Sequence, residues 1–239
     1  MILNTRPELY QDRFRSAFSD IGLAILDCPV LIPEATGSNF PDPDAFDAII
    51  LTSQIAATMF PIASSWLSKK VYAVGPVTES AARSVGFSDI VCTGLDATDM
   101  ERYLLNEPFR MGLYVSAEDV AKDLSEIFSL RVQRIPVYRM VPIDHLMGDV
   151  LDKIKSKAQI IIPLFSRRSA KTVAHLLDKA QVTPTTSRLY AIGISNDVFA
   201  AEEGPWQCRI VAPSATLEAM VATTRELAKN LGFISKVTR

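Results

Sequence analysis

This 239-residue sequence predicts an α/β protein built from two similar doubly wound parallel-sheet lobes joined by two extended linkers. Three observations carry the prediction. An apolar strand that ends in a hydroxyl residue and opens a helix occurs at Ile49-Ile50-Leu51-Thr52-Ser53 and returns at Ile160-Ile161-Ile162-Pro163-Leu164-Phe165-Ser166. A strand ending in glycine follows in each half, Val71-Tyr72-Ala73-Val74-Gly75 and Leu189-Tyr190-Ala191-Ile192-Gly193. The spacings are 113 residues from Ser53 to Ser166 and 118 from Gly75 to Gly193. Solenoid periods run roughly 20–50 residues, so this repeat is a duplicated lobe, and two lobes make a cleft.

The elements follow in order. Short β-branched or aliphatic runs predict strands near 1–5, 23–30, 47–52, 70–74, 89–93, 111–115, 131–138, 159–165, 188–192 and 208–212. Amphipathic stretches between them predict helices near 8–20, 54–66, 77–85, 98–106, 118–129, 144–156, 167–180, 196–203 and 215–231. This alternation is that of βαβ units in a flavodoxin-like parallel sheet. Pro7 stands where a first helical turn accepts proline, and Thr98-x-x-Glu101 reads as a capping box. Ser53, Ser116, Ser166 and Ser214 read as N-caps.

Two segments break the rhythm. Leu31 to Pro43 carries Pro33, Pro41 and Pro43, and Ile135 to Pro142 carries Pro136 and Pro142. Proline fixes φ and drives the preceding residue to extended geometry, so both read as extended linkers. Two linkers imply that the chain leaves one lobe and returns to it. The expected division is a discontinuous first lobe, 1–35 plus 136–239, and an inserted second lobe, 36–135.

Composition excludes several function classes. Hydrophobic residues make up 48% and charged residues 22%, enough apolar material for sizeable cores. No apolar run approaches the roughly 18 residues that span a bilayer, and no secretory signal opens the chain. Cys28, Cys92 and Cys208 are odd in number and widely spaced, which fits free thiols in a cytoplasmic protein better than a disulfide framework or zinc site. A formal net charge of −2 leaves no footprint for nucleic acid. GxGxxG, GxxxxGK[ST] and GxSxG motifs are absent. His145 and His175 read as helix residues, and the Asp119/Asp123 pair as a solvated helical face.

Ligands of open parallel sheets sit beyond the carboxyl ends of the strands, where helix N-termini also point. Those ends read Thr5-Arg6, Thr52-Ser53, Gly75-Pro76-Val77-Thr78, Ser116-Ala117, Phe165-Ser166-Arg167-Arg168, Gly193-Ile194-Ser195 and Pro213-Ser214. A rim of hydroxyls and backbone amides suits carboxylates or phosphates, and suits neither a metal ion nor nucleophilic catalysis. Arg6, Arg167 and Arg168 stand at helix starts, where the macrodipole disfavours cations by roughly 0.3–1 kcal/mol. An anionic ligand turns that penalty into attraction, whereas solvated arginines on a helix flank need no ligand.

These residues, in this succession, resemble the uroporphyrinogen-III synthase family. Thr5-Arg6-Pro7, Leu51-Thr52-Ser53, Tyr72-Ala73-Val74-Gly75-x-x-Thr78, Val137-Tyr138-Arg139, Phe165-Ser166-Arg167-Arg168-Ser169-Ala170 and Ala212-Pro213-Ser214 carry the resemblance across nearly the whole chain. It implies a cytoplasmic, monomeric enzyme without cofactor or metal. Its partner would be a small-molecule tetrapyrrole, with no nucleic acid or membrane. The implied reaction closes hydroxymethylbilane into uroporphyrinogen III with inversion of the last pyrrole ring and loss of water. By the same resemblance, substrate lies between two lobes that open about the linkers. Tyr138 matches a tyrosine proposed to assist departure of the hydroxyl, and phenols, with a reference pKa near 10, carry their proton at neutral pH. Thr5, Arg6, Ser53, Thr78, Ser116, Ser166, Arg167, Ser195 and Ser214 are the implied substrate-binding residues. This chain departs from the family pattern at Ile55, where Asn or Arg is frequent. It departs also at Ser116-Ala117, in place of a glycine-bearing turn, and at Ser214, in place of threonine.

Two other readings compete. A non-catalytic clamshell module would close on a small anionic ligand without turnover. A flavodoxin-like signalling pair would want acidic residues at the first strand end, where Thr5-Arg6 stands.

Overall fold

A computed structural model describes residues 1–60, 63–200 and 204–233. In chain order the elements are β1 (Ile2–Asn4), α1 (Gln11–Phe18), β2 (Ile25–Asp27), β3 (Leu31–Ala35), β4 (Ala48–Leu51), α2 (Gln54–Thr58), α3 (Ser64–Leu67), β5 (Lys70–Ala73), α4 (Gly75–Val85) and β6 (Ile90–Cys92). There follow α5 (Ala97–Leu104), β7 (Gly112–Ala117), α6 (Leu124–Ile127), β8 (Val132–Pro142), α7 (Gly148–Lys155), β9 (Gln159–Leu164), α8 (Arg167–Lys179), β10 (Arg188–Gly193), β11 (Trp206–Val211) and α9 (Leu217–Asn230). The chain divides into two compact units, Met1–Ile32 with Val141–Arg239, and Pro33–Met140.

The first unit holds a five-stranded sheet in the order β11-β10-β9-β1-β2. All its pairings are parallel, with Ile2 on β1 opposite both Ile25 and Ile161. Counted along the unit this is the 2-1-3-4-5 order of doubly wound sheets, with helices covering both faces. Its strands are near-continuous apolar runs because a two-sided cover buries both faces. On one face Phe14 and Phe18 of α1, stacked with centroids 4.1 Å apart, join Ile161, Ile192, Met220 and Leu227 in a core. In α8, Ala170, Val173, Ala174 and Leu177 are buried, the spacing of one helical face.

The second unit holds a six-stranded sheet, β3-β8-β7-β4-β5-β6. Strands β4 to β8 pair in parallel, with Ile50 opposite both Tyr72 and Tyr114. Its core gathers Ile50, Tyr72, Met100, Leu104, Tyr114 and Leu124. A separate aromatic cluster joins Phe60 and Trp66, with ring centroids 5.5 Å apart, to Phe40, Phe46 and Phe87.

Several elements differ from expectation for identifiable reasons. The segment read as a linker at Leu31–Pro43 contains β3, an edge strand, where Pro33 removes no ladder hydrogen bond that an inner strand would need. The second linker is part of one long strand, β8. The helix expected over 118–129 is helical only at α6, because the carbonyls of Ala117 and Glu118 accept from Arg134. Of the helix expected over 54–66, the described residues form two short helices, α2 (Gln54–Thr58) and α3 (Ser64–Leu67). Residues 61–62 and 201–203 of the expected helices lie outside the described residues. Among the described residues of the helix expected over 196–203, a 3₁₀ turn forms at Asn196–Phe199. The helix expected from 144 starts at Gly148, since Ile143 still donates to the Val30 carbonyl and keeps the chain extended. Asp96, not a box at Thr98, caps α5 through the Thr98 and Asp99 amides, and Thr216, not Ser214, caps α9.

On β5, Tyr72 donates to Glu107 at 2.5 Å and Lys70 lies 3.1 Å from the same carboxylate. Burial, then the bond to Glu107, pushes the Tyr72 phenol up to about 12. An acid held neutral in the fold contributes stability below its unfolded pKa near 10, and that contribution is lost as pH rises toward 12. In an absorbance titration at the phenolate band, one tyrosine should therefore ionise near pH 12, and Tyr72→Phe should remove that step.

Candidate active site

In the second unit the chain runs from β4 outward through β5 and β6, then crosses back to β7 on the other side of β4. The switch point therefore lies between β4 and β7, and an open α/β sheet receives ligands beyond the strand ends at such a point. Thr52 and Ser53 follow β4 there, and Ala117 ends β7. A pocket of about 340 Å³ opens beside them, lined among others by Thr52, Ser53, Asp96, Tyr114, Lys122 and Tyr138. That is the lower end of the roughly 300–1,000 Å³ of small-molecule sites, room for part of a large ligand.

Two hydroxyl pairs form the pocket floor. The Tyr138 hydroxyl lies 3.0 Å from Ser53 Oγ, and the Tyr114 hydroxyl lies 3.2 Å from Thr52 Oγ1. Ser53 is also the N-cap of α2, its Oγ accepting from the Ile55 amide at 3.1 Å, so capping fixes the hydroxyl that meets Tyr138. Tyr138 owes its place to an irregularity. Ser116 pairs with Pro136, but the next residue, Ala117, pairs with Tyr138, so Val137 is left over as a bulge. Bulges re-aim side chains, and this one sets a phenol instead of a valine opposite the end of β7.

Electrostatics at the pocket are compensated from within. Two backbone amides, of Asp99 and Thr98, hold the Asp96 carboxyl below the usual carboxylate range. Lys122 is ion-paired with Glu101. Burial alone would raise Asp123, but hydrogen bonds from Ser125 and Arg134 outweigh it and keep the carboxyl low. Burial raises the Tyr114 phenol, which stays protonated.

In the first unit the equivalent switch point lies between β1 and β9. Buried Asn4 donates to Asp27 at 2.7 Å and accepts from the Arg6 amide at 3.2 Å, which turns the chain so that Arg6 leaves the sheet end. The Arg6 guanidinium is flanked by the rings of Tyr10 and Phe165, at 4.7 and 4.6 Å from their centroids. Burial lowers its pKa, and it forms no ion pair among the described residues. Ser166 caps α8 by accepting from the Ser169 amide, and Arg167 at the same helix start is ion-paired with Asp197. Ser195 is half-buried ahead of the 3₁₀ turn, and Ser214 is exposed, 3.4 Å from Thr216 Oγ1.

Ser53 and Tyr138 thus share one pocket, and Arg6 and Ser166 stand at the switch-point ends of one sheet. Three expected hydroxyls turn inward. Thr5, Thr78 and Ser116 are 1%, 5% and 0% exposed. Ser116 does not cap a helix either, because it lies within β7, donates to the Ala117 carbonyl and accepts from Arg134. Sequence reasoning overlooked Tyr114, Lys122 and Asn4. Tyr114 carried a signal, a polar-tipped ring inside an otherwise aliphatic strand, whereas Lys122 and Asn4 gain their places only through long-range contacts.

These features define the class, a duplicated doubly wound α/β protein with a hydroxyl-lined crevice at a topological switch point. A family model described as HEM4: Uroporphyrinogen-III synthase HemD matches residues 12–222. The chain belongs to the uroporphyrinogen-III synthase family, cyclising lyases of haem biosynthesis. Its fold is similar to uroporphyrinogen-III synthetase from Helicobacter pylori, with a TM-score of 0.62 and 19% identity over 85% of this chain and 93% of that one. Uroporphyrinogen III synthase from the extremely thermophilic bacterium Thermus thermophilus aligns at a TM-score of 0.39 and 12% identity, over 96% of this chain and 98% of that one. No curated protein matches. Among the described residues no helix is long and apolar enough to cross a membrane, and no three His, Cys, Asp or Glu side chains cluster to hold a metal.

The pocket edge at Leu95 and Asp96 depends on Gly94. Its φ is +136°, and a Cβ there would lie 2.3 Å from the Asp99 Cβ. Gly94→Ala should lower unfolding stability by about 1–3 kcal/mol, read as a lower urea midpoint, because strain adds to the clash.

Proposed function

We propose that the pocket of the second unit is where this chain drives loss of the hydroxyl group from hydroxymethylbilane, and that Tyr138 is the proton donor. The supporting observation is the Tyr138–Ser53 hydroxyl pair, 3.0 Å apart at the switch point. The phenol gives its proton to the hydroxyl oxygen, the carbon–oxygen bond breaks, and water departs. The carbocation left behind is delocalised over a pyrrole. To invert the last ring, its substituted α-carbon bonds to this cation and becomes a spiro carbon. The older bond from that carbon to its methylene bridge then breaks and leaves a second pyrrole-stabilised cation. The ring's free α-carbon bonds to that cation and expels its proton, which the phenolate takes back, so the cycle balances as loss of one water. Ser53, fixed by its cap, steadies the phenolate between the two proton transfers. Acid assistance of this kind contributes roughly 10²–10⁴-fold.

The substrate's carboxylates need partners as well. Arg6 is the candidate in the first unit, half-desolvated and without an ion-pair partner among the described residues. Ser166 and Arg167 stand at the start of α8, where helix amides also favour an anion. The pocket admits only part of a tetrapyrrole, so its share is the terminal ring. We place the protein in the cytoplasm, supported by its three unpaired thiols, Cys28, Cys92 and Cys208.

The deciding assay supplies freshly generated hydroxymethylbilane and separates isomers I and III after oxidation. Isomer III that depends on this protein is the expected product, and isomer I at the spontaneous rate would refute the reading. Tyr138→Phe should lower kcat by about 10²-fold or more with KM little changed, and full retention of rate would remove the phenol from the proton transfer. Arg6→Gln should act the other way, raising KM about tenfold through loss of one charge-assisted hydrogen bond.

A further inference from the structure

One wall of the pocket is an irregular segment, residues 117–123, contributing Ala117, Asp119, Val120, Ala121 and Lys122. A loop with so little regular structure holds its shape only where side chains hold it. Here one guanidinium does so. Arg134 on β8 donates from Nε to Ser116 Oγ at 2.9 Å, and from Nη2 to the carbonyls of Ala117 at 2.8 Å and Glu118 at 2.5 Å. From Nη1 it donates to the Asp123 carboxylate at 2.6 Å. It therefore grips both ends of the segment at once. The far end is a helix start, since Asp123 caps α6 through the Ser125 amide at 2.9 Å. The near end meets Tyr138, whose carbonyl accepts from the Glu118 amide at 2.7 Å. Lys122, next to that far end, is tied to Glu101 on α5.

We propose that Arg134 is a positioning residue for substrate binding: by bridging Ser116–Glu118 to Asp123 it sets the shape of the pocket wall that the bilane contacts. The proposal rests on reading this pocket as the substrate site. Lysine cannot replace arginine in the role, because a single ammonium cannot fan its donors over two carbonyls, a hydroxyl and a carboxylate. The guanidinium touches no reacting atom, so its removal should loosen binding and leave proton transfer in place.

The test compares Arg134→Lys and Arg134→Gln with wild type in the isomer assay, alongside thermal unfolding and limited trypsin digestion after Lys122. Expected are a KM raised about tenfold in both variants, kcat within about threefold of wild type, and faster cleavage at Lys122. A purely structural role would lower the melting temperature and the active fraction without moving KM. Should either variant fail to fold, Asp123→Asn keeps the cap, since asparagine caps as well as aspartate, and still removes the ion pair. A KM raised about threefold is expected for it. Wild-type KM in soluble, active variants overturns the proposal while leaving the pocket's function intact. Wild-type protein yielding isomer I alone overturns the reading of the pocket, and the positioning role falls with it.

Discussion

The register shift between β7 and β8 is the constraint on which the rest of the second unit depends. Ser116 faces Pro136 and Ala117 faces Tyr138, so one residue of β8 is left over at the strand end. Proline at the shift has no N–H to lose from the ladder. Its carbonyl is not wasted, since it accepts from the hydroxyls of Thr36 and Ser38 at 2.6 Å each. Past the shift the two strands stop pairing normally, β7 gives way to the 117–123 segment, and the phenol of Tyr138 reaches Ser53. An unbroken ladder would set Val137 opposite Ala117 and leave the crevice without its hydroxyl pair.

Around that shift, formal charges are matched by nearby partners. Asp96 is occupied by two amides at the start of α5, Asp123 by Arg134 and Ser125, and Lys122 by Glu101. The pocket face near the phenol is therefore dominated by neutral hydroxyls. Neutral hydroxyls of this kind hold a carboxylate less strongly than an unpaired cation would. The first unit is built differently, with basic side chains at its strand ends, Arg6 between two rings and Arg167 against Asp197.

Much of the architecture was legible because it is written in local apolar runs. Ala48–Leu51 and Gln159–Leu164 are buried nearly throughout, as strands covered on both faces must be, and their hydroxyl endings mark the switch points. Ser53 and Ser166 announced themselves as caps for the same local reason. What escaped depends on distant partners. Pro33 made Leu31–Ala35 read as a linker, although an edge strand tolerates it. The hydrophobic pattern at 118–129 looked helical, yet Arg134 takes the carbonyls that a first helical turn would use. A bulge has no signature in composition, so Tyr138 could be found only by resemblance and its geometry only in the fold.

Arg6 carries a consequence of another kind. A guanidinium is a flat ion, and Tyr10 and Phe165 stand about 4.7 Å and 4.6 Å from its central carbon. Rings so placed restrict its tumbling, and the Phe165 ring is itself braced edge-on by Phe14 at 6.1 Å. The rings take up part of the ion's surroundings, and its N–H donors lie along its rim. A carboxylate can meet that rim coplanar, through two parallel bonds, which fixes the angle of arrival as well as the place. For a ligand carboxylate bound in the proposed way, Arg6 would serve as a compass bearing, aligning a flexible chain before any bond in it changes.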